Sequence, residues 1–223
     1  EDKQGQQAMT LMMIISGIDK DRCVEREKMQ DIWQRHRVSP REVCFFWHPR
    51  EDSAYFNKTS MSSLNGLDPL DLTKATIECR KQAWEILNVF RNHMPGFEEA
   101  YIEQTAPTIG VRETRRIKGQ YVLTADDVLS SREFEDSIAR ASCPIDIHPR
   151  NDEPAVYQVL EKSYSIPYRI LVTNEVSNLI ATGRCVSTDQ EAHSSVRRMA
   201  PGFALGEAAG VAAALSLETM DVR

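Results

Sequence analysis

The chain has 223 residues, with 27 basic and 33 acidic side chains, which gives a formal net charge of −6. This length fits one large domain or two small ones, and a content of 41% hydrophobic and 27% charged residues is typical of a folded globular protein. An acidic chain with a pI of about 5.5 argues against a general nucleic-acid-binding surface, which has to be basic.

The cysteine pattern argues against a disulfide framework and against a zinc ribbon. Five cysteines lie far apart and none forms a C-x-x-C pair: Cys23, Cys44, Cys79, Cys143 and Cys185. An odd, scattered set is typical of a reducing compartment, so we expect a cytoplasmic protein. The alternation Asp189-x-Glu191-x-His193 can suggest a metal site, but it is more typical of a solvated loop, and no metal is expected.

No targeting or membrane segment is expected. Residues 1–7 are polar apart from Gly5, which argues against a signal peptide. The most apolar stretch, residues 201–217, is 17 residues long and contains Glu207 and three glycines. It is shorter than the roughly 20 residues that a membrane-spanning helix needs, so we expect no membrane contact.

Hydrophobic patterning in the first half predicts strands and helices in alternation. Residues 9–15 (MTLMMII) predict a buried strand, residues 21–37 a surface helix, and residues 43–47 (VCFFW) a second strand. From Leu72 to Met94 apolar residues follow the 3.6-residue period and predict a long helix, with Asp71 as its N-cap and Pro95 at its end. Residues 101–105 predict another strand.

The second half has shorter predicted elements. Residues 120–123 predict a strand, 125–141 a helix, and 144–149 and 165–171 extended segments. Residues 178–182 (NLIAT) predict a buried strand, followed by a polar connection over 184–200 and a helix over 201–217 with Pro201 at its first position. Small residues then recur every four positions and form a ridge that allows close backbone approach: Gly202, Gly206, Gly210 and Ala214.

The last strand, connection and helix predict a βα unit, which has a functional and a structural interpretation. The start of such a helix offers free N–H groups and the positive end of the helix dipole to an anion or a carbonyl. A long loop inside a compact domain is often functional, although a packing helix behind a solvated loop explains the same spacing. The sequence contains no G-x-G, no G-x-S-x-G and no H-E-x-x-H, so it has no complete dinucleotide fingerprint and no local hydrolase or zincin signal.

Two further features have both a functional and a structural interpretation. The basic cluster of Arg112, Arg115 and Arg116 can bind a phosphate or carboxylate, or it can pair with an acidic neighbour such as Glu113. His148 can serve as an acid–base group or as a half-buried histidine with satisfied hydrogen bonds.

Three stretches in combination resemble a known family. They are residues 67–69 with the following helix; residues 109–121 (IGVRETRRIKGQY), continued by 136–139 (DSIA) and 144–148 (PIDIH); and residues 178–184 (NLIATGR), followed by 195–199 (SVRRM) and 204–210 (ALGEAAG). Together they resemble the C-terminal half of bacterial FAD-dependent oxidoreductases of the glutathione-reductase type.

The resemblance implies an α/β fold, α+β in part. Residues 1–176 would form a substrate (cap) domain of antiparallel sheet and helices, and residues 177–223 would form the C-terminal βα unit that completes the FAD-binding domain. The half with the G-x-G-x-x-G motif would be missing and would come from an upstream segment or a partner subunit. Without that half, strand 178–182 would expose an edge and apolar surface, which predicts oligomerisation or low stability.

The resemblance also implies FAD as cofactor and a set of site residues. Those expected along the flavin are Gly183, Arg184, Gly202, Phe203, Ala204, Leu205 and Gly206, and backbone N–H groups of 202–206 would stabilise negative charge near flavin N1. Arg197 and His193 are implied as catalytic residues. The implied substrate-side residues are Arg112, His148, Tyr168 and Arg169.

The implied activity is hydride transfer between a small organic substrate and flavin. One alternative is a non-catalytic binding or structural portion that contacts flavin only when a partner supplies the G-x-G-x-x-G half. A second alternative, a flavin-free hydrolase, requires a Ser–His–acid arrangement in space.

Overall fold

A computed structural model describes residues 6–36, 45–148, 156–219 and 222. It combines helices with antiparallel sheets, consistent with an α/β flavoprotein-like fold. The chain divides into two compact units: the first contains the described residues between 8 and 111, and the second contains residues 6–7 and those from 112 onward. This division differs from the predicted boundary at 176/177. That boundary concerns the assembled flavin domain and stays a prediction.

The first unit is built on one four-stranded antiparallel sheet. Its strands are β1 (Met13–Ser16), β2 (Phe45–Trp47), β3 (Ser53–Phe56) and β4 (Tyr101–Thr105), in the order β2-β3-β1-β4. The strand predicted over 9–15 is therefore shorter and lies later, with Met9 and Thr10 in isolated bridges. The strand predicted over 101–105 is confirmed. Of the strand predicted over 43–47, the first two residues lie outside the described part of the chain.

Among the described residues the first unit also has two α-helices, α1 (Arg26–His36) and α2 (Pro69–His93). One side of α2 is buried in a core with T-shaped aromatic contacts among Phe56, Phe90 and Phe97. The predicted N-cap was wrong: Asp68 caps α2, and its Oδ1 accepts from the Leu70 N–H at 2.8 Å. Pro69 takes the first helical position, where its missing N–H costs nothing, so Asp71 falls inside the first turn.

In its described residues the second unit has two small antiparallel strand pairs and three α-helices. The strands β5 (Ser137–Ala141) and β8 (Tyr164–Pro167) pair with each other, as do β6 (Ile145–Ile147) and β7 (Val156–Gln158). The helices are α3 (Ala125–Leu129), α4 (Gln190–Val196) and α5 (Met199–Thr219). Buried apolar side chains from these elements and from the segments between them form one core: Leu123, Val128, Tyr164, Ile166, Leu171, Val186, Val196 and Leu205.

Two predicted elements in this unit were wrong. The helix predicted over 125–141 ends at Leu129, because Ser131 adopts a left-handed conformation with φ of 56° and the chain then enters β5. The strand predicted over 120–123 does not form. Leu123 makes a single parallel bridge to Thr188, and its N–H donates to the Ser187 carbonyl at 3.1 Å.

The buried strand predicted over 178–182 was also wrong. Asn178 is left-handed with φ of 54°, Leu179 is 40% exposed, and the pairing is reduced to one bridge between Ile180 and Val172. A strand needs a neighbour along its whole length to satisfy its backbone groups. In the described residues this segment meets such a neighbour at one position only, so it forms no strand here; the βα unit of the assembled flavin domain stays a prediction.

The predicted C-terminal helix is confirmed in type, but it begins earlier than expected. It starts at Met199, which places Pro201 at the third position rather than the first. A Cβ at Gly202, Gly206 or Gly210 would meet no atom within 4 Å, so the ridge of small residues is open. The segment Met199–Leu217 is long and apolar enough to cross a membrane, and 17% of it is buried. Core helices and signal sequences meet the same criteria, and the absence of a membrane span stays a prediction.

Candidate functional site

The centre of the candidate site is the short helix α4, which sequence patterning missed. The polar connection predicted over 184–200 was wrong, since residues 190–196 are helical and six of these seven are buried. Asp189 is the N-cap: its Oδ1 accepts from the Ala192 N–H at 2.7 Å, and its Oδ2 accepts from the Ala125 N–H at 2.7 Å. An aspartate followed by apolar residues at Ala192 and Val196 was the available signal for this helix.

Two serines attach α4 to the strands of the second unit. Ser195 Oγ donates to the Cys143 carbonyl at 2.6 Å and lies 2.7 Å from the Tyr164 hydroxyl. Ser194 Oγ accepts from the Asp146 N–H at 2.9 Å. Burial raises the pKa of Tyr164 to about 12, so its hydroxyl stays protonated and donates to Ser195. The helix is therefore fixed by hydrogen bonds as well as by apolar packing.

His193 is fully buried and electrically neutral. Its Nε2 lies 2.9 Å from the Arg184 carbonyl, and because a carbonyl oxygen only accepts, Nε2 carries the proton. Burial lowers the pKa of His193 to about 4, despite the opposing carbonyl bond, and the charges of Arg116, Arg197 and Arg184 lower it further. The 3.7 Å approach of Nδ1 to Glu113 Oε2 is accordingly not an ion pair at neutral pH.

Glu113 connects three segments of the second unit. Its side chain is 3% exposed, and its Oε1 accepts from the Gln7 N–H and from Gln190 Nε2, both at 2.7 Å. Its Oε2 accepts from Arg116 Nη1 at 3.2 Å. This ion pair confirms the structural interpretation of the basic cluster for Arg116. Sequence patterning identified Glu113 only as a charge partner and gave no role to Gln7, which is 106 residues away from it in the chain.

A second carboxylate belongs to Asp146 on β6, and two arginine side chains and one histidine contact this residue. Arg198 Nη2 forms an ion pair with Asp146 Oδ2, and His148 Nε2 lies 3.3 Å from Oδ1. Arg197 Nη2 reaches the Asp146 carbonyl at 3.3 Å and Gln7 Oε1 at 3.5 Å. Burial alone would raise the pKa of Asp146, but the His148 hydrogen bond and the charges of His148, Arg198 and Arg197 hold that pKa below its ordinary value.

The structure brings part of the predicted set together. Arg197 interacts electrostatically with both Glu113 and Asp146, His193 lies near Glu113, and His148 lies near Asp146. Arg184 lies near His193 and Arg197, and Arg112 is buried next to Glu113 in the chain. Tyr168 and Arg169 belong to a separate 3₁₀ turn. There the Arg169 guanidinium binds both oxygens of Asp136, at 3.0 and 3.1 Å, and lines a shallow depression with Arg132 and Phe134. Among the described residues no group of three or more His, Cys, Asp or Glu side chains is arranged to hold a metal ion.

Comparison with known proteins identifies the family. A family model described as FAD dependent oxidoreductase matches residues 1–222. The chain belongs to the FAD-dependent oxidoreductase family. Its cofactor is therefore FAD. No curated protein matches the chain, and no solved structure does.

The residues of this FAD-dependent oxidoreductase chain fit one part of the cofactor. Gly183 has a φ of 81° and open space where a Cβ would lie, and the glycine ridge of α5 is likewise bare backbone, so a planar ring can approach both. The sequence contains no G-x-G, the glycine pattern that contacts the pyrophosphate in dinucleotide-binding folds. The residues present therefore fit the ring end of FAD.

The predicted flavin-contacting residues differ in accessibility. Phe203 is 73% exposed, whereas Leu205 is buried in the core of the second unit. The free N–H groups expected at 202–206 are not there, because α5 begins at Met199 and the Gly202 N–H already donates to the Arg198 carbonyl at 3.0 Å. The amides of the first turn belong to Met199 and Ala200. The flavin contact of Gly183, Arg184 and residues 202–206 stays a prediction.

Proposed function

We propose that this chain supplies the substrate side of an FAD-dependent oxidoreductase that transfers hydride between a small organic substrate and the flavin. The observation that supports this most is the position of Arg197: it follows the last residue of α4 and precedes the start of α5, whose glycine face is open. When bound, FAD supplies the hydride-accepting centre. The protein supplies binding, orientation and charge.

We assign different roles to the two predicted catalytic residues. Arg197 keeps a cationic side chain beside the neutral acceptors Asp146 O and Gln7 Oε1, where it can bind a substrate oxygen that carries negative charge. His193 has no exposed surface and a pKa of about 4, so its role is to hold the Arg184 carbonyl, and through it the Gly183–Arg184 turn, in place. Direct proton transfer by His193 at neutral pH is disfavoured by both properties.

We further propose that a dinucleotide-binding half completes the flavin site, on a partner subunit or elsewhere in a longer protein. The open side of α5 supports this, because an apolar helix with exposed Phe203, Val211, Leu215 and Leu217 is stabilised when another surface covers it. The G-x-G-x-x-G pattern belongs to that half. Its absence also favours the alternative function, in which this chain only completes the flavin site and the chemistry depends on other residues. Without the other half we expect self-association, and we place the protein in the cytoplasm.

The first experiment is visible spectroscopy of the purified protein after incubation with excess FAD and desalting, alone and with the dinucleotide-binding half added. We expect retained flavin bands in the presence of that half. Arg197→Ala should keep the flavin content and lower the rate of flavin bleaching by substrate. The matched control is Arg140→Ala, because Arg140 is an exposed arginine of the same unit that pairs with Glu133 at 2.6 Å.

Three outcomes separate the hypotheses. Retained flavin with bleaching lost in Arg197→Ala supports the catalytic role. Retained flavin with equal bleaching rates in Arg197→Ala, Arg140→Ala and the unmodified protein contradicts a role for Arg197 and favours the non-catalytic alternative. A colourless protein under both conditions contradicts the proposed flavin site.

A further inference from the structure

The site contains an unusual concentration of buried polar atoms without a partner. Among the described residues, eight buried side-chain nitrogen or oxygen atoms have no hydrogen-bond partner, and four of them belong to this site: Gln7 Nε2, His193 Nδ1, Arg197 Nε and Arg198 Nε. Three of these four are N–H donors. A buried donor without an acceptor costs free energy, so such donors normally face a water molecule or a ligand.

The same atoms are grouped around one place. Arg197 and Arg198 are adjacent in the chain and both contact Asp146, Arg198 through the carboxylate and Arg197 through the backbone carbonyl. Gln7 lies beside Arg197, because Gln7 Oε1 accepts from Arg197 Nη2 at 3.5 Å. The unpartnered donors therefore come from side chains that already contact one another or a shared residue.

Positive charge exceeds negative charge here. Four guanidinium groups interact electrostatically within the site, those of Arg116, Arg184, Arg197 and Arg198, against the three carboxylates of Glu113, Asp146 and Asp189. In the described part of the chain no carboxylate oxygen lies within 4.0 Å of the Arg197 guanidinium, whereas Glu113 and Asp146 each have a closer arginine. Glu113 and Asp146 therefore act on Arg197 only from a distance, and a largely buried arginine with no carboxylate in direct contact is an arrangement that an incoming anion would relieve.

We propose that Arg197 and Arg198, together with the Gln7 amide, bind an oxyanion group of the substrate, a carboxylate or a phosphate. The planar guanidinium presents parallel N–H donors that match both groups. Arg198 keeps 36% of its side chain exposed, so the group is reachable from solvent. The assignment of this anion to the substrate rests on the proposed function, and it narrows the substrate class from small organic molecules to organic anions.

The test measures anion binding to the flavin-free protein, so that it does not depend on turnover. Succinate and inorganic phosphate are titrated at constant ionic strength against sodium chloride. The readouts are the thermal midpoint and the ¹⁵Nε–¹Hε signals of the arginine side chains. We expect a saturable rise in the midpoint, with two arginine Nε–H signals moving downfield as acceptors arrive. The stronger of the two anions identifies the group as carboxylate or phosphate.

Variants then locate the binding. Arg197→Gln and Arg198→Gln should each weaken the binding by about tenfold, the effect of losing one charge-assisted hydrogen bond. Arg197→Lys should also weaken anion binding, because lysine keeps the positive charge but lacks the parallel N–H donors of the planar guanidinium. The control Arg140→Gln should bind as the unmodified protein does. Arg198→Gln remains informative if Arg197→Gln fails to fold, because the Arg198 side chain is more exposed.

Two results would overturn the proposal. One is a thermal midpoint that rises as much with sodium chloride as with succinate or phosphate, which would mean that the anions only screen charge. The other is anion binding unchanged in both Arg197→Gln and Arg198→Gln, which would leave a bridging water as the acceptor. Failure of the proposed redox function looks different: the anion binds and requires both arginines, while flavin is not retained or not bleached.

Discussion

Acidification should destabilise the second unit through His193. The pKa of this buried histidine is about 4 in the folded protein, against an ordinary value of 6.5. Between these values the unfolded chain binds a proton that the folded protein does not, so stability is fully present above pH 6.5 and falls as the pH drops towards 4. Linkage gives a loss of about 2 kcal/mol between pH 7 and pH 5 from this side chain alone.

The assay is urea denaturation at pH 7 and pH 5, followed by far-ultraviolet circular dichroism. Tryptophan fluorescence would not serve, because Trp33, Trp47 and Trp84 all belong to the first unit. His193→Gln should lose about 2 kcal/mol less than the unmodified protein over this interval. The exposed-histidine control His36→Gln should not differ from the unmodified protein. Equal losses in the His193 variant and the unmodified protein, or an NMR titration of His193 near pH 6.5, would refute a buried neutral histidine.

Three further predictions concern the two units separately. Asp189→Ala removes the acceptor of two backbone N–H groups and should destabilise the second unit by about 1–2 kcal/mol in the same assay; an unchanged midpoint would contradict its role as a cap. Gly119→Ala would place a Cβ 2.7 Å from Ser187 Cβ, and we expect a cost of about 1–3 kcal/mol by circular dichroism, where no loss would refute the close approach. Phe90→Ala should cost about 3–5 kcal/mol in the first unit, measured by tryptophan fluorescence; a loss below 1 kcal/mol would show that its core collapses without a cavity.

The first unit was largely predictable because its signals are local. The α2 helix has a strong 3.6-residue apolar period, and β4 was predicted with its observed bounds. The N-cap of α2 was wrongly predicted as Asp71 because two aspartates compete for this position. An aspartate at 68 and one at 71 both suit a cap, and Pro69 at the first helical position decides between them.

The second unit was less predictable because its short elements depend on distant contacts. Nothing near residue 130 in the sequence shows that the chain leaves the helix and pairs residues 137–141 with 164–167. At α4, by contrast, a helix was missed, because a polar sequence forms a buried helix there. Its polar side chains find partners far away in the chain: Gln190 on Glu113, and Ser195 on Cys143 and Tyr164. Composition alone assigns such residues to solvent.

Site prediction shows the same division between local and distant information. The resemblance named Arg197, His193 and His148, which lie near Glu113 or Asp146, and Arg184, which lies near His193 and Arg197. It could not name Glu113 as the connecting residue, since that role depends on Gln7 and Gln190 approaching from distant parts of the chain. It also could not separate a histidine that reaches substrate from one that is buried, since burial is a property of the fold.

The last two helices, α4 and α5, differ in how many of their side chains find partners within this unit. This difference affects how the protein assembles. The polar side chains of α4 are held within this unit by Glu113, Cys143 and Tyr164, so the arrangement around Arg197 does not depend on another surface. In contrast, α5 leaves its glycines open and large apolar side chains exposed. The anion site next to α4 should therefore persist without flavin. The flavin contact of α5 should form only when the apolar face of α5 is covered by another surface.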